Sequence, residues 1–182
     1  MAGRRRSAFT LIEVTVVLFL ITLFLGMSMT SLKGFLPASA VESAARELVM
    51  VLDSARVHAI GSGQPYDVVF DLDEQRYAIR TPFDEEGNLV ADPEERKLLS
   101  WHTLADGVVL EEVLDASGQP LASGRYVLTF HPAGDARDFW AGFGHEAGEG
   151  YRMTVRVLGL TGIATVFEGE VLPQELREVD FG

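Results

Sequence analysis

The sequence predicts an α+β protein. A long N-terminal helix, transmembrane and then amphipathic, leads into a globular domain built on an antiparallel β-sheet or on two sheets. Three observations carry that expectation. An apolar run from Phe9 to Met29 contains a single charge, Glu13. Apolar residues then recur at three- and four-residue spacing between Val41 and Ala59. From Tyr66 onward the pattern changes to alternation at period two between turn signals, in a chain with 18 glycines and 7 prolines.

The first element follows from its length. FTLIEVTVVLFLITLFLGMSM is 21 residues, and at 1.5 Å per residue it can cross a bilayer core of about 30 Å. Arg4, Arg5 and Arg6 precede it and Glu42 follows, so the positive-inside rule puts the N-terminus in the cytoplasm and the rest outside. Glu13 is the anomaly, because a carboxylate in such a helix costs about 2.5–3.5 kcal/mol on insertion scales. Either it snorkels to the cytoplasmic headgroups or it meets a cation at the same depth. An α-amino group created by cleavage just before Phe9 would be such a cation.

The second element begins where Pro37, with Gly34 close by, predicts a bend or a break in the helix. Val41, Ala44, Ala45, Leu48, Leu52, Ala55 and Ala59 then form one apolar stripe, with Glu42, Arg46, Glu47, Asp53, Arg56 and His58 on other faces. Gly61-Ser62-Gly63 ends the helix. The strands expected after it are Tyr66 to Asp71, Gln75 to Thr81, Lys97 to Thr103, Val108 to Leu114, Arg125 to His131, Arg152 to Leu158 and Ile163 to Leu172. Their connectors are Leu72-Asp73-Glu74, the acidic stretch Asp84 to Glu95, Asp115 to Pro120, and a Gly-rich stretch from Gly134 to Gly150. The resulting division is 1–8 as a leader, 9–32 as the membrane helix, 33–63 as its amphipathic continuation and 64–182 as the β-rich domain.

Charge limits the partners. The chain carries −12, and once Arg4 to Arg6 are set aside the remaining twelve basic residues face 27 acidic ones. Such a surface repels phosphate backbones unless a local basic patch survives, so nucleic acid is not an expected partner. Arg152 and Arg156, on one face of a strand by their even spacing, are the only strand pair of interest, and the tail Glu175 to Asp180 is acidic. No cysteine is present, which excludes disulfides, thiolate metal sites and cysteine nucleophiles.

No constellation for catalysis is found. His58, His102, His131 and His145 are scattered, without metal-ligand spacing. No nucleophile elbow or phosphate-cradling Gly-rich loop occurs. The stretch from Asp84 through Asp92, Glu94 and Glu95 offers oxygen ligands for Ca²⁺ but lacks the EF-hand spacing, and it reads as a solvated hairpin loop. Phe139, Trp140 and Phe143, in the Gly-rich stretch, either pack back onto the sheet or contact a neighbour. No enzyme activity, metal or cofactor is expected.

The N-terminus resembles the class III signal of type IV prepilins: basic residues, Ser7-Ala8, then Phe9-Thr10-Leu11-Ile12-Glu13-Val14 and an uncharged apolar run. The resemblance implies that a prepilin peptidase cuts between Ala8 and Phe9, where Ala8 stands in place of the usual glycine, and that Phe9 is N-methylated. It also implies that Glu13 pairs with a neighbour's N-terminal amine during assembly. An ordinary secretory signal with a cut at Ala38-Ser39-Ala40 is the competing reading, but the apolar run is too long for it and lies well upstream. A plain uncleaved anchor accounts for the span but not for FTLIE.

Farther on, three short elements resemble the GspH/FimT group of pilin-like proteins: Ala55-Arg56-Val57-His58-Ala59-Ile60, Phe130-His131-Pro132-Ala133-Gly134 and Leu160-Thr161-Gly162. Ile163 stands where the group commonly has a basic residue. The resemblance implies a minor pseudopilin of a type II secretion filament, held in the bacterial inner membrane by one span with its C-terminal domain in the periplasm. Other pseudopilins or pilins and the inner-membrane assembly platform would be its partners. The alternative it leaves is a FimT-like minor type IV pilin for DNA uptake or adhesion.

Overall fold

The computed structural model describes residues 11–115, 117–146 and 148–170, with side chains given for the same residues apart from 24–36 and 149. The leader 1–8, Phe9 and the tail from 171 onward, including the acidic stretch Glu175 to Asp180, lie outside the described residues.

Helix α1 runs Leu11–Ser62. The break expected at Pro37 does not occur: Pro37 lies inside the helix. Proline removes one N–H from the ladder at a cost of about 3 kcal/mol, and here helix extends for many residues on both sides of it. The chain divides into two compact units at this point, 1–36 and 37–182. In the first unit, every side chain from Leu11 to Leu23 is exposed. In the second, each residue of the expected apolar stripe is buried, so the helical period was read correctly. Helix α1 ends at Gly63, whose φ of 67° is the left-handed conformation of a helix C-terminus.

Nine strands follow among the described residues, all paired antiparallel. Strands β1 (Tyr66–Asp71), β2 (Arg76–Arg80), β3 (His102–Thr103) and β6 (Arg125–Phe130) form one sheet in the order β3-β2-β1-β6. Strands β4 (Val108–Asp115), β5 (Pro120–Leu121), β7 (Phe139–His145), β8 (Gly148–Leu158) and β9 (Ile163–Glu168) form the other in the order β5-β4-β7-β8-β9.

Two expectations need correction. The run Lys97 to Thr103 becomes a strand only at His102–Thr103, with an isolated bridge from Leu98 to Arg80. The Gly-rich stretch Gly134 to Gly150 is not a connector, because it contains β7, the centre of the five-stranded sheet, and the start of β8. Phe139, Ala141 and Phe143 point from β7 into the core. Gly142 and Gly144 alternate with them and lie under neighbouring side chains. A Cβ on Gly144 would overlap the Glu111 carboxylate, and one on Gly142 would touch Arg152. These glycines are small because long side chains cross above them.

One hydrophobic core joins α1 to both sheets. Val41, Leu48, Leu52 and Ala55 from the helix meet Phe70, Tyr77 and Phe130 from the first sheet and Phe139, Phe143 and Val155 from the second. The Phe70 and Phe139 rings, 5.0 Å apart, bridge the two sheets. Gln75, at φ 51° in the β1–β2 turn, bonds across them as well. Its amide donates to the Leu110 carbonyl at 3.2 Å, and its side-chain oxygen accepts from the Leu110 N–H at 2.7 Å.

Candidate functional site

The sequence directs attention first to the helix N-terminus. Glu13 lies near the start of the described part of α1. Its described neighbours from Leu11 to Leu23 are apolar apart from Thr15 and Thr22, with Leu11 85% exposed. Thr15 and Thr22 turn their hydroxyls back onto carbonyls three and four residues earlier, Thr15 onto Ile12 at 2.9 Å and Thr22 onto Leu18 at 2.7 Å. Their polarity is thereby satisfied within the helix, as an apolar surrounding demands. Among the described residues no helix is long and apolar enough to cross a membrane. Ala8 and Phe9 fall outside the described residues.

The second group of features is scattered in sequence and joined in space. Arg56, from the helix element Ala55 to Ile60, donates Nε–H to the carbonyl of Gly134 at 3.1 Å and to that of Thr161 at 2.8 Å. One guanidinium therefore fastens the end of α1 to the β6–β7 turn and to the β8–β9 turn. The three motifs singled out in the sequence are the three sides of this clamp. Both glycines in it are required. Gly134 (φ 87°) closes its turn by donating to the His131 carbonyl at 2.8 Å. Gly162 (φ 62°) passes so close to the Gly134 carbonyl that a Cβ would overlap it. The clamp is architectural: it sets where two turns and a helix end meet.

The histidines likewise have structural surroundings. His58 stacks on Tyr66, and His102 stacks on Tyr77 while its Nδ1 lies 3.0 Å from Glu47 of α1. The backbone of His131 forms part of the β6–β7 turn. In the acidic loop, Asp84 accepts from the N–H and the side-chain amide of Asn88. Among the described residues no group of three His, Asp or Glu is placed to hold a metal ion.

Arg152 and Arg156 do share a face of β8, but both are engaged. Arg152 lies within 3.1 Å of Glu111, 2.7 Å of Glu112 and 3.1 Å of Glu170. Arg156 lies over the Trp140 ring at 5.5 Å. Phe139, Trp140 and Phe143 lie in strand β7 rather than in a loop, and all three are buried, which is the packing alternative of the two expected for them.

Sequence reasoning missed the outer face of the four-stranded sheet. Strand β1 alternates Val68 and Phe70 into the core with Asp67, Val69 and Asp71 outward. Register then sets Arg80 and Thr129 beside Asp67, Ala78 and Val127 beside Val69, and Arg76 and Arg125 beside Asp71. Asp67 accepts from Arg80 at 2.8 Å, Arg96 at 3.4 Å and the Thr129 hydroxyl at 2.7 Å. Asp71 accepts from Arg125 at 3.0 Å, with Arg76 at 3.7 Å. Both aspartates are 3% exposed. Burial pushes the Asp71 carboxyl up, but hydrogen bonds from Arg125 and the Glu74 N–H, with the charges of Arg125 and Arg76, outweigh it and hold it below the ordinary aspartate value. The signal was in the sequence: Asp67 and Asp71, Arg76 and Arg80 are each four residues apart on either side of a tight turn, which puts all four on one face.

Comparison with known proteins gives two results. Residues 3–29 match the prokaryotic N-terminal methylation motif. In fold, the chain is similar to the minor pseudopilin EpsH from the type II secretion system of Vibrio cholerae, with 19% identity, 74% of this chain and 98% of that one covered, and a TM-score of 0.54. The type IV minor pilin FimU of Pseudomonas aeruginosa is also similar, at 17% identity over 75% of this chain and 99% of that one, with a TM-score of 0.47. No curated protein matches the chain. The methylation motif spans the expected cut and Glu13, and the fold behind it is similar to that of a minor pseudopilin.

Proposed function

We propose that the chain is a minor pseudopilin of a type II secretion filament, cut between Ala8 and Phe9, methylated on Phe9 and inserted in the inner membrane with its β domain in the periplasm. The observation that carries this reading is the methylation motif over residues 3–29, joined to a fold similar to that of EpsH. Assembly then follows from physical chemistry. The apolar helices beginning at Phe9 pack together at low dielectric, and Glu13 is neutralised by the N-terminal amine of a neighbour. The prepilin peptidase and the assembly platform act on the N-terminal segment, and the chain performs no bond-making chemistry of its own. The engagement of Arg152 by three glutamates and of Arg156 by Trp140 speaks against DNA uptake.

Mass spectrometry of the chain from membranes of its native host tests the processing. The expected product begins at N-methylated Phe9, whereas a start at Val41 would remove the anchor and the filament reading with it. Deleting the chain in that host separates the roles: loss of folded proteins from the medium with unchanged DNA uptake is expected, and the reverse pattern would establish the uptake alternative.

A further inference from the structure

The outer face of the four-stranded sheet is positive on a protein of net charge −12. Four guanidinium groups, Arg76, Arg80, Arg96 and Arg125, flank two carboxylates, Asp67 and Asp71. Each buried aspartate is thus over-neutralised, and one positive charge remains at each end of β1. At the Asp67 end, Arg96 is tied down, since it also donates to the carbonyls of Val90 and Ala91. The Asp71 end is open. The Arg125 side chain is 67% exposed with only its Nε–H on Asp71. Arg76, its side chain partly exposed, lies over the Trp101 ring at 4.5 Å.

Between the two charged ends runs an apolar strip. Val69 and Ala78 are buried beneath it, and Val127 and Leu98, 40% and 41% exposed, form its surface. Tryptophan and arginine around exposed aliphatic side chains are the composition of a protein-binding hot spot. The carboxylates of Asp73 and Glu74 follow the Asp71 end of β1, and the acidic loop Asp84 to Glu95 follows the Arg80 end of β2. The positive strip is therefore short and framed by negative charge. A nucleic-acid backbone, with charge extending well past both ends, would meet that frame. A short segment with two carboxylates would not.

We propose that this face docks an extended acidic segment of a partner protein, with two carboxylates about 13 Å apart (four residues along a strand) and an apolar side chain between them. One carboxylate sits on Arg125 with Arg76, the other beside Arg80 and the excess positive charge that Arg80 and Arg96 leave around Asp67, and the apolar residue sits on Val127 and Leu98. The proposal rests on the charge and register of this sheet and is independent of which filament the chain joins.

The test titrates a fluorescein-labelled peptide, Ser-Glu-Thr-Leu-Thr-Glu-Ser, into the full chain in an uncharged detergent and follows fluorescence anisotropy. The same peptide with lysines for glutamates and a thymidine oligonucleotide serve as comparisons. Saturable binding of the acidic peptide alone is expected, lost between about 50 mM and about 500 mM salt. Arg125→Gln and Arg76→Gln should each weaken it about tenfold, while Arg156→Gln, on the other sheet, leaves it unchanged. Arg125→Lys keeps a cation beside Asp71, so an intermediate affinity from that variant decides the matter even where a glutamine variant fails to give a cooperative melt. Absence of binding, indifference to the Arg125 and Arg76 substitutions, or preference for the oligonucleotide overturns the proposal.

Discussion

Asp71 has a measurable signature because its carboxyl is held below the ordinary aspartate value of 3.8 in the folded chain. The unfolded chain therefore takes up this proton first as pH falls. The stabilisation is complete above the unfolded value and is lost through about pH 4 and below, as the folded value is approached. Arg125 is the largest of the influences lowering it. Removing that side chain in Arg125→Gln should reduce stability at neutral pH and flatten its decline below about pH 4, read as thermal midpoint against pH. A decline as steep as in the unsubstituted chain would mean that Arg125 does not set the Asp71 equilibrium.

Among the elements, the turns carry as much information as the strands. Gly162 combines positive φ with a backbone approach that leaves no room for a Cβ. Gly162→Ala should cost about 2–4 kcal/mol, and Arg56→Gln should lower the melting temperature in the same direction by freeing two carbonyls. Additive losses in the double variant would show that the two residues do not act as one clamp. The three motifs of this clamp were visible in the sequence, but their convergence was not, because sequence separation says nothing of which turns of two different sheets end at one place. The α1 stripe was legible because every member obeys one period. Strand β7 was not, because Gly142 and Gly144 are the usual marks of a loop, and the long side chains of Glu111 and Arg152 that require them come from other strands. The run from Lys97 to Thr103 alternates like a strand, yet most of it lies outside the β2–β3 ladder, which pairs Arg76 and Tyr77 with Thr103 and His102.

Over the whole molecule, one core draws on the helix and both sheets, and this predicts how the globular unit unfolds. Trp101 reports on the outer face of the four-stranded sheet and Trp140 on that of the five-stranded sheet. In the variants Trp140→Phe and Trp101→Phe, the remaining tryptophan should report the same denaturant midpoint for the unit beyond Pro37, coincident with far-UV circular dichroism. Two separated midpoints would mean that the sheets are independent. The acidity read from composition holds for the molecule but conceals a face of the opposite sign, since a sum over the chain cannot reveal which arginines register places side by side.

The shortness of β3 and β5, two residues each, has a consequence for concentrated protein. Each sheet ends on one side in a two-residue strand, in one case containing Pro120, and on the other side in β6 or β9, six residues each. The β6 and β9 edges are therefore where a strand from another molecule would add to the folded domain.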